Sequence, residues 1–234
     1  MASPVVEQVV ESSTNTAGPS HIVTLPTATA DQLLLIISDI GSTAATWDTA
    51  GGVVTELLDE GVANGLHIAY RWMDGTEPAS YTFTTSASTR SADMAYRISG
   101  AENPATQAPE MGTTATGTSA TPDSPAAVMT GGSKDYLVIA FYGAAGEEAD
   151  DDTWSDTPPT NYTPSPPRQK ACGVAGTNLG GLLAAAERAL TASAENPGTF
   201  AKDVSAAWRA QTITVHPAAV IPAIPELVMA RTRP

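Results

Sequence analysis

The densest group of chemically capable side chains is an acidic cluster in the second half of the chain. Its members are Glu147, Glu148, Asp150, Asp151, Asp152 and Asp156. Because calcium takes several oxygen ligands from a flexible loop, this cluster is the one candidate for a hard-cation site. A charged loop surrounded by water has the same composition, and we favour that interpretation. We therefore predict that the chain holds no metal and no other cofactor.

Side chains suited to catalysis occur singly rather than in recognisable motifs. His21, His67 and His216 lack the spacing of metal ligands, and no HExxH, CxxC, EF-hand or GxSxG pattern occurs. The glycine-rich segment 173–181 lacks the lysine of a phosphate-binding loop. Scattered carboxylates leave a glycosidase pair open, although the sequence pairs none of them. Cys172, the only cysteine, is expected to be a buried thiol. We predict no catalytic residues and no enzyme.

Tryptophan is the remaining residue type that could recognise a ligand, because exposed aromatic rings bind sugars. The four tryptophans are Trp47, Trp72, Trp154 and Trp208. Trp47 and Trp154 follow similar apolar runs, and this symmetry favours two equivalent packing residues over one binding face. Sugar binding nevertheless stays open as an alternative.

The charge of the chain narrows the classes of partner. The 234 residues include 11 Lys or Arg and 25 Asp or Glu, which gives a formal net charge of −14. Binding to phosphate backbones or anionic lipid relies on clustered cations, so we expect neither nucleic acid nor membrane as a partner. The N-terminal residues lack the basic and apolar segments of a secretory signal, and no run approaches the ~20 apolar residues of a membrane span.

Two short apolar runs must form central strands. Leu33–Ile37 and Leu137–Phe141 are too short for buried helices, so they predict strands that are covered on both faces. Each run follows an aspartate, Asp31 or Asp135, and these lie 104 residues apart. The surrounding segments recur in the same order, which predicts an internal repeat.

The repeat also decides an ambiguous segment. Leu182–Leu190 has the composition of a helix. Its counterpart, which follows Gly65, alternates polar and apolar residues and ends at an Asp74-Gly75 turn, as a half-buried strand does. We therefore predict a strand over Leu182–Leu190. The expected fold is an all-β, jelly-roll-like sandwich of two antiparallel sheets.

Domain boundaries follow from composition. We predict a sandwich over residues 20–217, with repeat halves at about 20–120 and 121–217. Irregular arms are expected over residues 1–19 and 218–234. The C-terminal arm is apolar but contains prolines, so we expect it to lie extended on a neighbouring subunit. The residues predicted to contact that partner are Val220, Ile221, Ile224, Leu227 and Val228.

An ordered series of motifs carries a resemblance to known proteins. These motifs are DQLLLIIS from Asp31, a tryptophan loop, YRWMDGTEPASYTFT from Tyr70, and WRAQTITVHP from Trp208. Over residues 20–217 the chain resembles a recurrent group of structural proteins from the virions of tailed bacteriophages. The resemblance implies a β-sandwich and no catalytic residues.

Three functions remain in consideration at this point. The first is a capsid decoration (cement) protein, made in the host cytoplasm, whose arms bind the major capsid protein or other virion proteins. A homo-oligomer is expected, and a trimer would suit that role. The second is a tail or fibre component. The third, from another class, is a carbohydrate-binding module.

Overall fold

The computed structural model describes residues 2–40, 47–48, 54–62, 65–145, 156–173 and 181–219. Throughout these ranges the regular structure is β-strand, without a helix. The strands are β1 (Val5–Thr24), β2 (Leu33–Ile40), β3 (Trp47–Asp48), β4 (Thr55–Asp59), β5 (Gly65–Trp72), β6 (Ser80–Ser99), β7 (Glu110–Met111), β8 (Ala115–Ser119), β9 (Asp123–Ser124), β10 (Ala127–Val128), β11 (Lys134–Ala145), β12 (Thr163–Cys172), β13 (Gly181–Ala192), β14 (Ala194–Glu195), β15 (Gly198–Thr199) and β16 (Ala206–Val215).

Two antiparallel sheets contain the long strands. The first sheet has the order β1-β6-β2-β5-β4, and β3 also pairs with β6. The second has the order β12-β13-β11-β16-β7, and β8 also pairs with β16. The two-stranded pieces β9–β15 and β10–β14 lie outside these two sheets. The prediction of an all-β protein built on two antiparallel sheets is confirmed.

The main core lies between the inner faces of the two sheets. Leu35 and Ile37 of β2 share one buried cluster with Ile139 and Phe141 of β11. The alternate residues of the same strands are also fully buried, in clusters on the two outer faces. The central strands are thus covered on both sides, as the continuous apolar runs predicted.

A bend in the ribbon formed by β1 and β6 covers the outer face of the first sheet. The register of the ribbon shifts between Thr14 and Ser20. Beyond the shift the chain returns over its own beginning, where the backbone N–H of Thr24 donates to Ser12 Oγ at 3.2 Å. This bend brings Phe83 into the outer cluster. Phe200 occupies the corresponding outer cluster of the second sheet.

The prediction of an irregular N-terminal arm over residues 1–19 is wrong for Val5 onward. These residues belong to β1 and pair with β6 of the same chain. The segment contains four valines and two threonines, which favour a strand, although Gly18 and Pro19 at its end oppose one. Hydrogen bonds to a strand about 80 residues later place it in the first sheet.

The two sheets share strand order and register. Leu33 of β2 pairs with Trp72 of β5, and Leu137 of β11 pairs with Ala189 of β13. The second pair lies 104 and 117 residues after the first. The pairing of β2 with β6 and of β11 with β16 keeps the same two offsets.

Pairing between strands overrides local composition in several segments. Leu182–Leu190 is a strand, as predicted, because it pairs with β11 on one side and β12 on the other. The proline-, threonine- and glycine-rich residues 102–121 contain β7 and β8, and the proline-rich segment from Thr163 forms β12. The prolines of β12 are tolerated because this strand lies at the edge of its sheet.

The last described residues are held against the end of β6. Pro217 forms an antiparallel bridge with Ala101, and the N–H of Ala218 donates to the carbonyl of Gly100 at 2.8 Å. The N–H of Ala219 donates to Glu102 Oε2 at 2.8 Å. Residues 220–234, and with them most of the predicted C-terminal arm, lie outside the described residues.

Candidate functional site

A groove opens at one end of β5, at the rim of the inter-sheet core. Its volume is about 300 Å³. It is lined by Thr55, Tyr70, Arg71, Trp72, Asn103, Pro104 and Ala105. Ligand pockets in proteins begin at about this size and combine apolar surface with a few polar groups. We call this feature the rim groove.

The aromatic side of the rim groove comes from β5. Tyr70 and Trp72 lie on the inner face of the first sheet, where both side chains are half-buried and pack against the main core. Asn103, Pro104 and Ala105 approach from the segment that connects the two sheets. The Asn103 carboxamide accepts the N–H of Ala105 at 2.9 Å, which fixes the turn of that segment. Packing therefore sets the position of the two rings.

The cation of the rim groove is already paired. Arg71 Nη2 lies 2.9 Å from Asp74 Oδ2, and Arg71 Nε lies 3.1 Å from Glu77 Oε1. Hydrogen bonding to Glu77 raises the pKa of Arg71. The turn that brings these acids to Arg71 requires Gly75, whose φ of 87° is unfavourable for other residues. The two carboxylates outnumber the one guanidinium, so this trio has a formal charge of −1 and offers no free cation to a ligand.

A row of buried polar side chains lies at the end of β2 and β5 opposite the rim groove. Asp93, Ser38 and His67 occupy one row across β6, β2 and β5, and all three are buried. Ser38 Oγ donates to Asp93 Oδ1 at 2.6 Å, and Ser91 Oγ donates to Asp93 Oδ2 at 2.9 Å. Burial raises the pKa of Asp93 to about 7.

The composition of this row resembles a catalytic triad, but its geometry does not fit one. In a triad the imidazole accepts the serine proton and the carboxylate orients the imidazole. Here the carboxylate of Asp93 accepts the hydrogen bond from the hydroxyl of Ser38, and His67 Nδ1 lies 2.9 Å from a different acid, Asp59. Burial lowers the pKa of His67 to about 4, so this imidazole is neutral at pH 7.

Asp39 is a buried acid between the two sheets. Neither of its carboxylate oxygens has a hydrogen-bond partner among the described residues. Burial, and next the charge of Asp93, raise the pKa of Asp39 well above its usual range. A Cβ at Gly181 would stand 2.2 Å from Asp39 Oδ2, and one at Gly143 would stand 2.7 Å from Oδ1. Two glycines of the second sheet therefore provide the space for this carboxyl group.

The residues singled out in the sequence fall in several places. Val220, Ile221, Ile224, Leu227 and Val228 lie outside the described residues, as do Trp154 and the acidic cluster except Asp156. Asp156 is buried and accepts a hydrogen bond from the hydroxyl of Tyr142. Within the described part of the chain, no group of three His, Cys, Asp or Glu side chains is arranged to hold a metal ion.

His21, His216, Cys172 and Trp208 are buried within the fold. His21 Nε2 lies 3.0 Å from Thr85 Oγ1, and His216 stacks edge-on against Tyr136. Cys172 is a buried free thiol, as predicted, and burial raises its pKa. Trp208 is buried, whereas Trp72 lines the rim groove. The side chain of Trp47 lies outside the described set.

Sequence reasoning did not find the rim groove, because its lining residues come from β4, β5 and the segment at 103–105. Trp72 was named as a candidate, but nothing nearby in sequence indicates Asn103 or Pro104 as its neighbours.

The described residues contain no helix that is long and apolar enough to cross a membrane. No protein-family model matches the chain, and no curated protein or solved structure matches it.

Proposed function

We propose that the chain is a structural protein of a tailed-phage virion, and specifically a capsid decoration protein that binds neighbouring capsid subunits through its C-terminal arm. The sequence motifs from Asp31 to Pro217 and the two-sheet sandwich support this assignment. The internal repeat and the jelly-roll-like arrangement belong to the same proposal, and the shared register of the two sheets supports the repeat.

The observation that carries the proposal is the place where the arm begins. Ala219 is exposed and tied to Glu102 at the surface of the sandwich. The strands it leaves are already covered on both faces. The apolar residues from Val220 onward therefore follow a fold whose central strands are already covered. A neighbouring protein is the surface that would remove these residues from water.

The apolar surface of the arm can make a sizeable gross contribution to attachment. Hiding ~500 Å² of apolar surface contributes on the order of 10 kcal/mol before the cost of ordering the arm. Several arms of one oligomer strengthen attachment further, because binding of the first arm raises the effective concentration of the others at the particle surface.

Deletion of residues 220–234 tests this function. The deletion keeps the hydrogen bonds of Ala218 and Ala219, so the sandwich should unfold at the same temperature as the full chain. We expect the shortened chain to be missing from purified particles, whereas Val128→Asp, at a side chain 75% exposed and distant in sequence from the arm, should still be incorporated. Quantitative mass spectrometry of the particles measures both.

Immunogold labelling of the same particles separates the shell from the tail. Label distributed over the capsid supports a decoration protein, and label confined to the tail indicates the tail or fibre component instead. Normal incorporation of the shortened chain would contradict attachment through the arm.

Sugar binding is the second candidate, and one observation favours it. Tyr70 and Trp72 stand beside the amide of Asn103 in the rim groove, which is a combination suited to a sugar ring and its hydroxyl groups. Binding of the full chain on a glycan array, lost in Trp72→Ala and kept in Trp208→Phe, would support this function. Silence across the array would contradict it.

A further inference from the structure

The rim groove suits an apolar segment that contains proline. Tyr70 and Trp72 form one side, and Pro104 forms part of the other. Grooves lined by aromatic residues bind proline-containing peptides because such peptides are already extended and lose little conformational entropy. The chain itself contains a segment of this kind, VIPAIP, which begins at Val220.

The direction in which the chain leaves the sandwich points away from its own groove. Pro217 pairs antiparallel with Ala101, and Ala218 then bonds to Gly100. The backbone from His216 to Ala218 therefore runs antiparallel to residues 102–100 and away from Asn103, while the N–H of Ala219 still donates to the side chain of Glu102. The prolines at 222 and 225 favour an extended backbone at the residues that precede them. A groove on another molecule is the more direct destination.

Length and charge permit contact between two copies. Residues 220–234 number 15 and, when extended at about 3.1 Å per residue, span roughly 45 Å. A compact body of this size has a radius of gyration of about 17 Å, so the arm reaches well past its own surface. The arm carries Glu226, Arg231 and Arg233, so it is slightly basic, whereas the whole chain has a net charge of −14. An acidic body attracts such an arm.

We propose that the rim groove of one copy of this chain binds the C-terminal arm, residues 220–234, of a second copy. The inference rests on the proposed function and narrows it: the neighbouring subunit that the arm contacts on the particle is another copy of this chain, and not the capsid protein beneath it. Arm and groove are different patches of one molecule, so the contact is heterologous and closes into a ring when the rotation between copies allows it. The trimer expected from the sequence is one such ring.

A pair of complementary variants tests the proposal in the full-length chain. Ala105→Arg places a long cationic side chain in the groove from an exposed position, and Ile224→Asp places a charge in the apolar part of the arm. We expect sedimentation analysis to show association of the unaltered chain, and at least a tenfold weaker association of each variant alone. Mixing the two variants should restore a one-to-one complex, because the Ala105→Arg chain retains an unaltered arm and the Ile224→Asp chain retains an unaltered groove.

A labelled peptide of residues 220–234 gives an independent measurement. It should bind the Ile224→Asp chain, and it should bind the Ala105→Arg chain at least tenfold more weakly. Ile22→Asp is the matched control, because Ile22 is 56% exposed and is not part of the groove lining. Equal thermal unfolding of all variants shows that each remains folded.

The proposal is overturned by a monomeric unaltered chain at every concentration tested, by association unaffected by Ala105→Arg, or by no complex on mixing the variants. Protection of the arm from protease within a monomer, lost in Ala105→Arg, would indicate docking in its own groove and would also contradict a second copy. Association of the chain together with its absence from particles would contradict the proposed function alone. Presence in particles without self-association would contradict this inference alone.

Discussion

At the scale of single residues, the feature with the largest energetic consequence is the burial of acids. Asp39 and Asp93 are both inaccessible to solvent, and only Asp93 has hydrogen-bond donors, Ser38 and Ser91, among the described residues. Burying a carboxylate is so unfavourable that the group binds a proton instead. Both acids therefore make stability depend on pH.

The direction of this dependence follows from the raised pKa values. In the unfolded chain both aspartates ionise near pH 4, whereas Asp93 in the folded chain ionises at about pH 7. The unfolded state thus releases protons first, and the free energy of unfolding falls as pH rises from about 4 to 7. For Asp93 this loss is on the order of 4 kcal/mol. Asp39, whose folded pKa is also raised, adds to the fall.

Asp39→Asn should flatten this dependence. Because asparagine does not ionise, we expect the variant to lose less stability than the unaltered chain between pH 5 and pH 8, and to be the more stable of the two at pH 8. Urea unfolding at several pH values measures the difference. Asp74→Asn is the control, since Asp74 is exposed and hydrogen bonding to Thr76 lowers its pKa. An unchanged slope in Asp39→Asn would contradict the assignment of Asp39 as a protonated buried acid.

At the scale of elements, the outer layers explain how strands that are apolar on both faces remain in water. The bent β1–β6 ribbon places Phe83 on the first sheet, and the segment after β15 places Phe200 on the second. Phe200 also contacts the ring of Tyr142 edge-on at 5.0 Å between centroids. Each phenylalanine closes an outer cluster that the inner core does not reach.

Phe83→Ala and Phe200→Ala should therefore each be strongly destabilising. We expect a loss of about 3–5 kcal/mol in the free energy of unfolding, because both rings are fully buried. Ile22→Ala, in the same ribbon but 56% exposed, should change it by about 0.5 kcal/mol or less. Chemical denaturation compares the three variants. A cost for Phe83→Ala no larger than that for Ile22→Ala would show that the ribbon does not seal the sheet.

At the scale of the whole molecule, the two sheets depend on each other. The main core contains Leu35, Ile37 and Ile68 from the first sheet and Ile139 and Phe141 from the second. Separation of the sheets would expose one complete apolar face on each. We therefore expect the described body to unfold as one cooperative unit even though its two halves share strand order.

Fragments divided in the connecting segment test this interdependence. We expect residues 1–105 and residues 106–234, expressed separately, each to lack a stable monomeric fold, since each sheet would lose its inner covering. Mixing the fragments should recover the cooperative unfolding of the intact chain. Circular dichroism and light scattering make the measurement. A stable, monomeric 1–105 fragment would contradict a shared core.

The sequence by itself determined which strands are central and what they are made of. Leu33–Ile37 and Leu137–Phe141 are apolar without alternation, and that pattern is local, so it predicted strands buried on both faces. The recurrence of segments also predicted a strand over Leu182–Leu190 against its helical composition, because a second copy supplied the missing information.

Tertiary structure decided everything that depends on partners distant in sequence. Val5–Pro19 belongs to the first sheet because β6 offers it hydrogen bonds, and that partner lies about 80 residues away in sequence. Tyr70 and Trp72 became one side of a groove because Asn103 and Pro104 cross the rim of the core beside them. Asp39 became a buried acid because glycines stand opposite it at 143 and 181. Such arrangements arise from packing between sheets, and a local pattern of residue types does not encode them.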